Sequence, residues 1–248
     1  MRILGVIPSR YASTRFPGKP LVDIAGKPMI WRVYEQALKS KQLTRVIVAT
    51  DDARISDAVT RRGGEAVMTS TRHQNGTERC VEALEKAGSS YDYVINIQGD
   101  EPYMDPGNID DLSALLDGKT EIATLVSVIH DEQVLFNEGV AKVVLNNKQE
   151  AIYFSRQVIP FLQGIDKKDW ISKYSFYKHV SLYGYRKDIL PVLAKLPTGR
   201  LEMSESLEQL RWLENGYCIK AAITHYEGVT IDTPEDLQYA LHRFPDSE

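Results

Sequence analysis

A run of basic residues follows the first apolar segment of the chain. Ile3 to Ile7 lead into a loop that carries three cations, Arg10, Arg15 and Lys19, and no acid. Arginine offers forked donors, lysine a mobile point charge, and Gly18 a close backbone approach to a ligand. Because the whole chain has a net charge of -4, this loop predicts a local phosphate-binding site. A solvated loop whose cations pair elsewhere is the alternative.

The spacing of the loop excludes two common phosphate-binding motifs. It contains neither the G-x-x-x-x-G-K-[ST] pattern of mononucleotide kinases nor the G-x-G-x-x-G pattern of NAD-dependent dehydrogenases. Those two enzyme classes therefore lose their main support in the sequence.

Two carboxylates far apart in the sequence are candidates for metal binding. Asp100 follows the apolar run Tyr93 to Ile97. Gly99 permits a tight turn there, which would direct the Asp100 side chain to the same edge of the sheet as the basic loop. Asp232 precedes the last predicted helix. There Thr233 fits the N-cap and Asp236 its capping-box partner, so Asp232 has no capping role. A simple turn residue and an incidental acid before the cap are the alternatives.

These two carboxylates need a cation if both face a triphosphate. At 4 Å and an effective dielectric constant of 20, each repulsive charge pair costs about 4 kcal/mol. Magnesium prefers hard oxygen ligands and commonly joins one or two carboxylates to substrate phosphates. We therefore predict that Mg²⁺ bridges Asp100, Asp232 and a nucleoside triphosphate.

The segment HQNGTER, residues 73–79, contains an Asn-Gly pair typical of a hairpin turn. Val81 and Leu84 continue at helical spacing, which instead favours a loop leading into a helix. Backbone and hydroxyl groups of Asn75 to Thr77 could then read a base edge, although a purely structural turn stays open.

Alternating apolar runs and helical patterns predict an α/β fold. The buried strands are expected at Ile3 to Ile7, Val46 to Ala49, Tyr93 to Ile97 and Ile122 to Val128. Between them, apolar residues recur at helical spacing, as in βαβ units of a mainly parallel, Rossmann-like sheet. Ligands of such sheets bind at the carboxyl ends of the strands. The first intervening helix is expected to bury the following residues: Ile30, Val33, Tyr34, Ala37 and Leu38.

The second half of the chain has a looser pattern. It predicts strands at Lys142 to Leu145, Ala151 to Phe154 and His179 to Tyr185, and a helix from about Ser204 to a C-cap at Asn215 and Gly216. We expect one domain over residues 1–248, with a mixed β elaboration at about 130–190 for substrate and dimer contacts.

Composition limits the possible partners and location. The chain has 248 residues, 43% hydrophobic and 26% charged, which suffices for a large core. Its negative charge disfavours nucleic acid and anionic lipid, and no stretch approaches the roughly 18 to 20 apolar residues of a membrane span. Cys80 and Cys218 fit no metal or redox spacing and are expected to be buried thiols. A cytoplasmic protein is expected.

Seven segments together resemble the CMP-Kdo synthetases, in which Kdo is 3-deoxy-manno-octulosonate. They are RYASTRFPGKPL, HQNGTER, QGDEP, YFSR, residues 179–185, LEQLR and IDTPEDL, in the family's order over essentially the whole chain. The resemblance implies a nucleotide-diphospho-sugar transferase fold and a homodimer. It also implies a magnesium-dependent reaction of CTP with Kdo that gives CMP-Kdo and pyrophosphate, for lipopolysaccharide biosynthesis.

The resemblance also implies roles for particular residues. The cytidine contacts would be Ser9, Arg10, Asn75, Gly76 and Thr77. The catalytic and phosphate-binding groups would be Arg15, Lys19 and Asp100. The contacts to the acidic sugar would be Gln98, Arg156, His179 and Gln209. Taken alone, His179 reads as a structural histidine and Gln209 as an exposed helix residue.

The chain departs from the family's pattern at three places. Ser9 stands where alanine is common, Asn75 stands where serine is common, and Gly199 to Glu202 replace a proline-containing approach to LEQLR. The third leaves the identity of the sugar open, including its C8 substituent. A cytidylyltransferase for an 8-amino or sialic-acid-like sugar, and a catalytically silent nucleotide-sugar-binding regulator, are the alternatives.

Overall fold

The computed structural model describes residues 1–12, 16–88, 90–226 and 228–244. The chain forms two compact bodies, the first from Met1–Asp110 with Tyr226–Glu248 and the second from Asp111–His225. Both contain strands and helices, which confirms the α/β class. Within the described residues, none of the helices has the length and apolar character required to cross a membrane.

The first body is a parallel sheet with helices between its strands. In chain order its elements are β1 (Ile3–Ser9), β2 (Asp23–Ile24), β3 (Lys27–Pro28), α1 (Met29–Leu38), β4 (Arg45–Thr50), α2 (Ala53–Thr60), β5 (Ala66–Met68), α3 (Gly76–Ala87), β6 (Tyr93–Asn96) and α10 (Pro234–Arg243), and α4 (Pro106–Ser113) contains the boundary between the bodies. The parallel strands lie in the order β6, β1, β4, β5. β2 and β3 form a separate antiparallel hairpin.

Burial on both faces explains why these strands read as continuous apolar runs. Ile3, Leu4, Val6 and Ile7 of β1 are all at most 1% exposed. The helix α1 buries four of its five predicted core residues, but Leu38 is 54% exposed. The predicted burial of Leu38 is therefore wrong; it is the last residue of the helix and lies at its exposed end.

The last helix begins as the capping pattern predicts. Thr233 accepts a hydrogen bond from the N–H of Asp236, whose carboxylate accepts one from the N–H of Thr233. Pro234 occupies the first helical position, where its missing N–H costs nothing. The sequence predicts that this last helix buries Leu237, Ala240, Leu241 and Phe244. Ala240 is fully buried, and the other three are partly buried against the same cluster.

The second body is a mixed sheet. Its elements are β7 (Ile122–Val128), α5 (Glu132–Phe136), β8 (Lys142–Leu145), β9 (Ala151–Ser155), α6 (Trp170–Lys173), β10 (Tyr177–Arg186), α7 (Leu190–Ala194), α8 (Arg200–Glu205), α9 (Gln209–Glu214) and β11 (Ile219–Ile223). β11 pairs parallel with β7, while β7 with β10, β10 with β8, and β8 with β9 are antiparallel. β5 and β11 have no counterpart among the predicted strands.

Two predictions for the second body are wrong. The helix expected from about Ser204 is divided into α8 and α9, because Ser206 adopts a left-handed conformation with φ 52° and ends α8. The predicted C-terminal end is confirmed, since Asn215 is the C-cap and Gly216 has φ 81°. Cys218 is exposed, in contrast to the buried Cys80, because it lies just before β11 rather than inside it.

Candidate active site

A cleft of about 280 Å³ is present in the first body, where the loops after β1 and β6 meet the loop before α3. This is the carboxyl edge of the parallel strands, where sheets of this kind bind ligands. The cleft is lined by Pro8, Ser9, Arg10, Lys19, Pro20, His73, Gln74, Asn75, Gly76, Arg79, Gln98, Gly99, Asp100 and Asp232. Eight of the predicted site residues are in this lining.

Lys19 lies between the two predicted metal ligands. Its Nζ is 2.8 Å from Asp100 Oδ2 and 3.0 Å from Asp232 Oδ1. The lysine side chain is only 13% exposed, so both ion pairs are partly shielded from solvent. The structure therefore brings together three charged residues that are separated by 81 and 213 positions in the sequence.

Backbone pairing and an apolar cluster hold these residues in place. The N–H of Ile231 donates to the carbonyl of Asp100 over 2.9 Å, so Asp232 is attached beside Asp100 by the main chain. Ile231 itself is fully buried in a cluster with Ile24, Met29, Tyr103 and Ala240. Residues from three distant parts of the chain thus share one small core directly behind the carboxylates.

The basic loop is held from its outer side. Gly18 has φ 72°, and a Cβ there would lie 3.0 Å from the hydroxyl oxygen of Tyr11, so glycine satisfies both the left-handed backbone and the close packing. The guanidinium of Arg54 stacks on the Tyr11 ring, 3.4 Å from its centroid. Arg54 is in turn paired with Asp52, the N-cap of α2. Lys19 therefore follows a fixed turn.

Gly99 is needed for a reason that the sequence did not indicate. Its φ lies outside the left-handed region, but a Cβ would be 3.1 Å from the carbonyl oxygen of Pro8. The close approach of the loop after β6 to the end of β1 thus favours a residue without a side chain. This approach places Asp100 next to the basic loop.

A third carboxylate adjoins the site. Burial, and after it the charge of Asp100, raises the pKa of Glu101 to about 7. Only a long hydrogen bond from Thr230 Oγ1, 3.4 Å from Glu101 Oε1, opposes the shift. Near neutral pH, Glu101 is thus partly protonated.

The segment HQNGTER forms a loop leading into a helix, and the alternative hairpin is excluded. Asn75 is the N-cap of α3, where its Oδ1 accepts the N–H of Glu78 over 2.8 Å. Gly76 opens the helix and packs near Pro8. Thr77 does not line the cleft and is only 1% exposed, so its hydroxyl lies beneath the surface that Asn75 and Gly76 present.

The remaining predicted nucleotide contacts differ in their placement. Arg10 and Gln98 line the cleft. Ser9 is 6% exposed, and its buried hydroxyl has no hydrogen-bond partner within the described part of the chain. Arg15 lies outside the described residues.

Arg156 lies in the second body, where backbone carbonyls already engage its guanidinium. Its Nε donates to the carbonyl of Glu205 over 2.6 Å, one terminal nitrogen to Glu138 at 3.1 Å and the other to Ser206 at 3.3 Å. A cation at the last carbonyls of α8 stabilises the end of that helix. Three of the five guanidinium N–H donors thus have a structural use, which leaves two for a ligand.

The other two predicted sugar contacts in the second body are neutral and poorly solvated. Burial lowers the pKa of His179 to about 3, so its imidazole is uncharged at neutral pH. Its Nε2 is 2.9 Å from Thr124 Oγ1. Gln209 is 5% exposed, not an exposed helix residue, and within the described residues its buried Nε2 has no partner.

Sequence reasoning missed three residues that the structure places beside the predicted ones. Tyr183 packs against the His179 ring at 5.1 Å between centroids, and its buried hydroxyl has no partner among the described groups. His73 and Arg79 line the cleft in the first body. The latter two stand in the HQNGTER segment, so their position beside Asn75 and Gly76 was the available signal.

The donor set of the cleft suits a magnesium ion bound together with a nucleotide. The described residues contain no cluster of three or more His, Cys, Asp or Glu side chains able to hold a metal. Two carboxylates converge instead on one point, occupied by the Lys19 ammonium. Magnesium is typically held by one or two carboxylates, substrate phosphates and water rather than by an all-protein cage.

The parallel sheet with an acidic and basic cleft at its carboxyl edge defines a nucleotidyltransferase. A family model described as cytidylyltransferase matches residues 4–232. A 3-deoxy-manno-octulosonate cytidylyltransferase from Parabacteroides distasonis is 52% identical over 246 residues, with 97% of each chain covered. An 8-amino-3,8-dideoxy-manno-octulosonate cytidylyltransferase from Shewanella piezotolerans is 46% identical over 242 residues, with 96% of each chain covered.

A solved structure of similar fold is consistent with these relatives. It is a CMP:2-keto-3-deoxy-manno-octonic acid synthetase complexed with CTP, 39% identical, with a TM-score of 0.91 and 99% of each chain covered. The chain belongs to the 3-deoxy-manno-octulosonate cytidylyltransferase family.

Proposed function

We propose that this enzyme transfers CMP from CTP to 3-deoxy-manno-octulosonate and releases pyrophosphate. The observation that supports this most directly is the convergence of Asp100 and Asp232 on Lys19 in the cleft at the carboxyl edge of the sheet. Binding alone has little use for two carboxylates beside a triphosphate, since they repel it unless a cation is present. The arrangement therefore favours catalysis over a silent regulatory role.

The reaction is an in-line displacement at the α-phosphorus of CTP. The anomeric hydroxyl oxygen of the sugar forms a bond to this phosphorus, the bond to the oxygen bridging to the β-phosphorus breaks, and pyrophosphate leaves with that electron pair. The hydroxyl proton is lost in the same overall reaction. No covalent enzyme intermediate is needed, so positioning and electrostatic stabilisation supply most of the rate enhancement.

The residues of the cleft divide this work. Lys19 binds phosphate oxygens, Arg15 orients the triphosphate, and Arg10 contacts the cytidine. Asp100 and Asp232 would hold the magnesium ion, which when bound neutralises phosphate charge in the transition state. The orphan hydroxyl of Ser9 is available to the nucleoside.

The acidic sugar is assigned to Gln98 in the cleft and to Arg156, His179 and Gln209 in the second body. Arg156 has two N–H donors left for the sugar carboxylate, and Gln209 has an unpartnered amide nitrogen. A neutral His179 suits hydroxyl recognition. The 8-amino sugar is a second candidate, because one relative at 46% identity is named for it.

We also propose a homodimer and assign the product to lipopolysaccharide assembly. The second body exposes a group of aromatic side chains around the buried Trp170, with Phe161 70% and Tyr174 38% exposed. These residues lie in the 130–190 segment to which dimer contacts were assigned. Analytical ultracentrifugation should give twice the chain mass of 28.0 kDa; a monomer at micromolar concentration would contradict the assignment.

Pyrophosphate release tests the proposed reaction. Purified enzyme is mixed with CTP, magnesium and, in turn, 3-deoxy-manno-octulosonate, its 8-amino analogue and a sialic acid. Release is expected only when nucleotide, metal and the correct acid are all present, and UTP or chelator should abolish it. If CTP binds but no acid supports release, the silent-regulator alternative is correct.

A further inference from the structure

The loop between β5 and α3 is attached to one face of α3. Glu78, Glu82 and Lys86 recur at four-residue spacing, so they share that face. Glu78 accepts the N–H of Gln74 over 2.9 Å, and Lys86 Nζ donates to the carbonyl of Met68 over 2.6 Å. Both ends of the loop are therefore anchored to the helix.

Glu82 occupies the middle of this face and holds the middle of the loop. Its Oε2 accepts the N–H of Ser70 over 2.8 Å and lies 2.5 Å from Nε2 of His73. Its Oε1 is 2.8 Å from Lys86 Nζ. Burial would raise the pKa of Glu82, but the hydrogen bonds from Lys86, Ser70 and His73 lower it to about 2. Glu82 is thus a carboxylate at neutral pH.

An ionised carboxylate can only accept hydrogen bonds, so Nε2 of His73 carries a proton. This fixes both the tautomer and the direction of the ring. The side chain of His73 is 19% exposed and lines the cleft. One ring nitrogen, Nε2, is therefore committed to Glu82, and the other, Nδ1, lies 3.6 Å from Glu78 Oε2, beyond hydrogen-bonding distance. Nδ1 and the exposed part of the ring are left for a ligand.

This side of the cleft is suited to a neutral ligand group rather than to phosphate. Its two basic residues are both paired with carboxylates, His73 with Glu82 and Arg79 with Asp51 at 2.9 Å. Lys19 is paired as well, but its partners are the two proposed metal ligands, Asp100 and Asp232, so it belongs to the group that a metal-bound triphosphate requires. Arg79 is only 3% exposed and is engaged by Thr69 and Asp51, so it does not offer its charge to a phosphate. The half-buried His73 ring offers stacking surface and a single hydrogen bond, as a nucleoside needs.

We propose that His73 contacts the nucleoside half of the bound nucleotide and that Glu82 is the positioning residue that holds it there. This inference rests on the proposed function, because it takes CTP as the ligand of the cleft. It adds two residues to the nucleotide site, one in contact with the ligand and one acting through it.

Calorimetric binding of CMP, CTP and inorganic tripolyphosphate to the full-length protein tests the contact. His73→Ala should weaken CMP and CTP binding by the same factor, about 5- to 20-fold, as expected for one lost polar contact. Tripolyphosphate binding should be unchanged. Equal CMP affinity in both proteins, or a loss confined to CTP and tripolyphosphate, would refute a nucleoside contact. If His73→Ala does not fold, His73→Gln, which retains a donor for Glu82, takes its place.

A double-mutant cycle tests the positioning role. Glu82→Gln alone should weaken CMP binding about 3- to 10-fold, but less than 2-fold when His73 is already alanine, because Glu82 acts through His73. The KM for CTP should rise while the KM for the sugar and kcat stay constant. An equal effect of Glu82→Gln in both backgrounds would show a general structural role.

Glu85→Gln is the matched control, since Glu85 lies three residues further along α3 and is exposed. It should leave all binding unchanged. The wild-type protein separates this inference from the proposed function: failure of wild type to bind CTP at all would refute the proposed function itself. Normal wild-type binding with unaffected variants would refute only the roles of His73 and Glu82.

Discussion

The two bodies differ in how many of their candidate ligand-binding groups are charged. In the first, the Lys19 ammonium lies 2.8 Å from a carboxylate oxygen of Asp100 and 3.0 Å from one of Asp232. In the second, His179 is neutral and Gln209 is buried without a partner for its amide nitrogen in the described structure. The proposed roles therefore place charged groups at the triphosphate, and they place desolvated, neutral groups beside the Arg156 guanidinium at the sugar.

The sharpest way to break this comparison is to remove one charge from the first body. Asp100→Asn should lower turnover about 10²- to 10³-fold or more, because charge stabilisation in a transition state is lost while the side-chain shape stays. The fold should persist, since Lys19 keeps its pair with Asp232. Steady-state pyrophosphate release and thermal unfolding measure the two effects.

Asp57→Asn is the control for that variant. Asp57 lies on α2, and its ion pair with the C-cap residue Arg61 is exposed and as long as 3.4 Å. Removing this charge should therefore change neither activity nor stability measurably. Substantial residual activity in Asp100→Asn would show that the metal assignment is wrong.

Acid sensitivity sharpens the comparison on the side of the second body. Since the pKa of His179 is about 3 in the folded chain and about 6.5 when unfolded, only the unfolded chain binds the proton between these values. The free energy of unfolding should thus fall as the pH drops below about 6.5, by up to about 1.4 kcal/mol per pH unit. Urea unfolding at about pH 7.5, 6 and 5 measures this slope.

His179→Asn should remove that contribution to the slope, even though it lowers stability at neutral pH by losing the ring contacts with Phe154 and Tyr183. His130→Asn changes an exposed histidine and should keep the wild-type slope. Parallel pH dependences for wild type and His179→Asn would contradict the desolvated, neutral state.

The smallest expected effect has an unusual sign. Gln209→Leu removes a buried amide nitrogen without a partner among the described residues, so it should stabilise the protein by about 1 kcal/mol. The KM for the sugar should rise at the same time. Urea midpoints and sugar titrations check both, with the exposed Gln133→Leu as the control. A destabilised Gln209→Leu enzyme with an unchanged KM would mean that the amide is structural.

Local sequence signals predicted the parts of the structure that depend on neighbouring residues. The cap of α10 involves only Thr233, Pro234 and Asp236, so four consecutive residues of the sequence are enough to predict it. The approach of Asp100 to Lys19 followed from the rule that ligands meet the carboxyl ends of parallel strands. The prediction for Asp232 came from its lack of a capping role and from the charge argument for a metal, because nothing near it in the sequence indicates where its carboxylate lies.

The features that escaped prediction depend on distant contacts. The break at Ser206 is accompanied by hydrogen bonds from Arg156, 50 positions earlier, to the end of α8. No helical pattern within residues 200–215 contains that information. Likewise, Gly99 is required by the carbonyl of Pro8, and His73 is oriented by Glu82 from the following helix. Tertiary packing overrides local preference at each of these places.

The first body has a consequence for synthesis on the ribosome. Its core behind the carboxylates needs Ile231 and Ala240, which are translated more than a hundred codons after Asp110. At roughly 5 to 20 residues per second, the N-terminal part waits on the order of ten seconds for them. During that interval the nascent chain has the basic turn and Asp100 but lacks Asp232, so catalytic competence is acquired only near the end of translation.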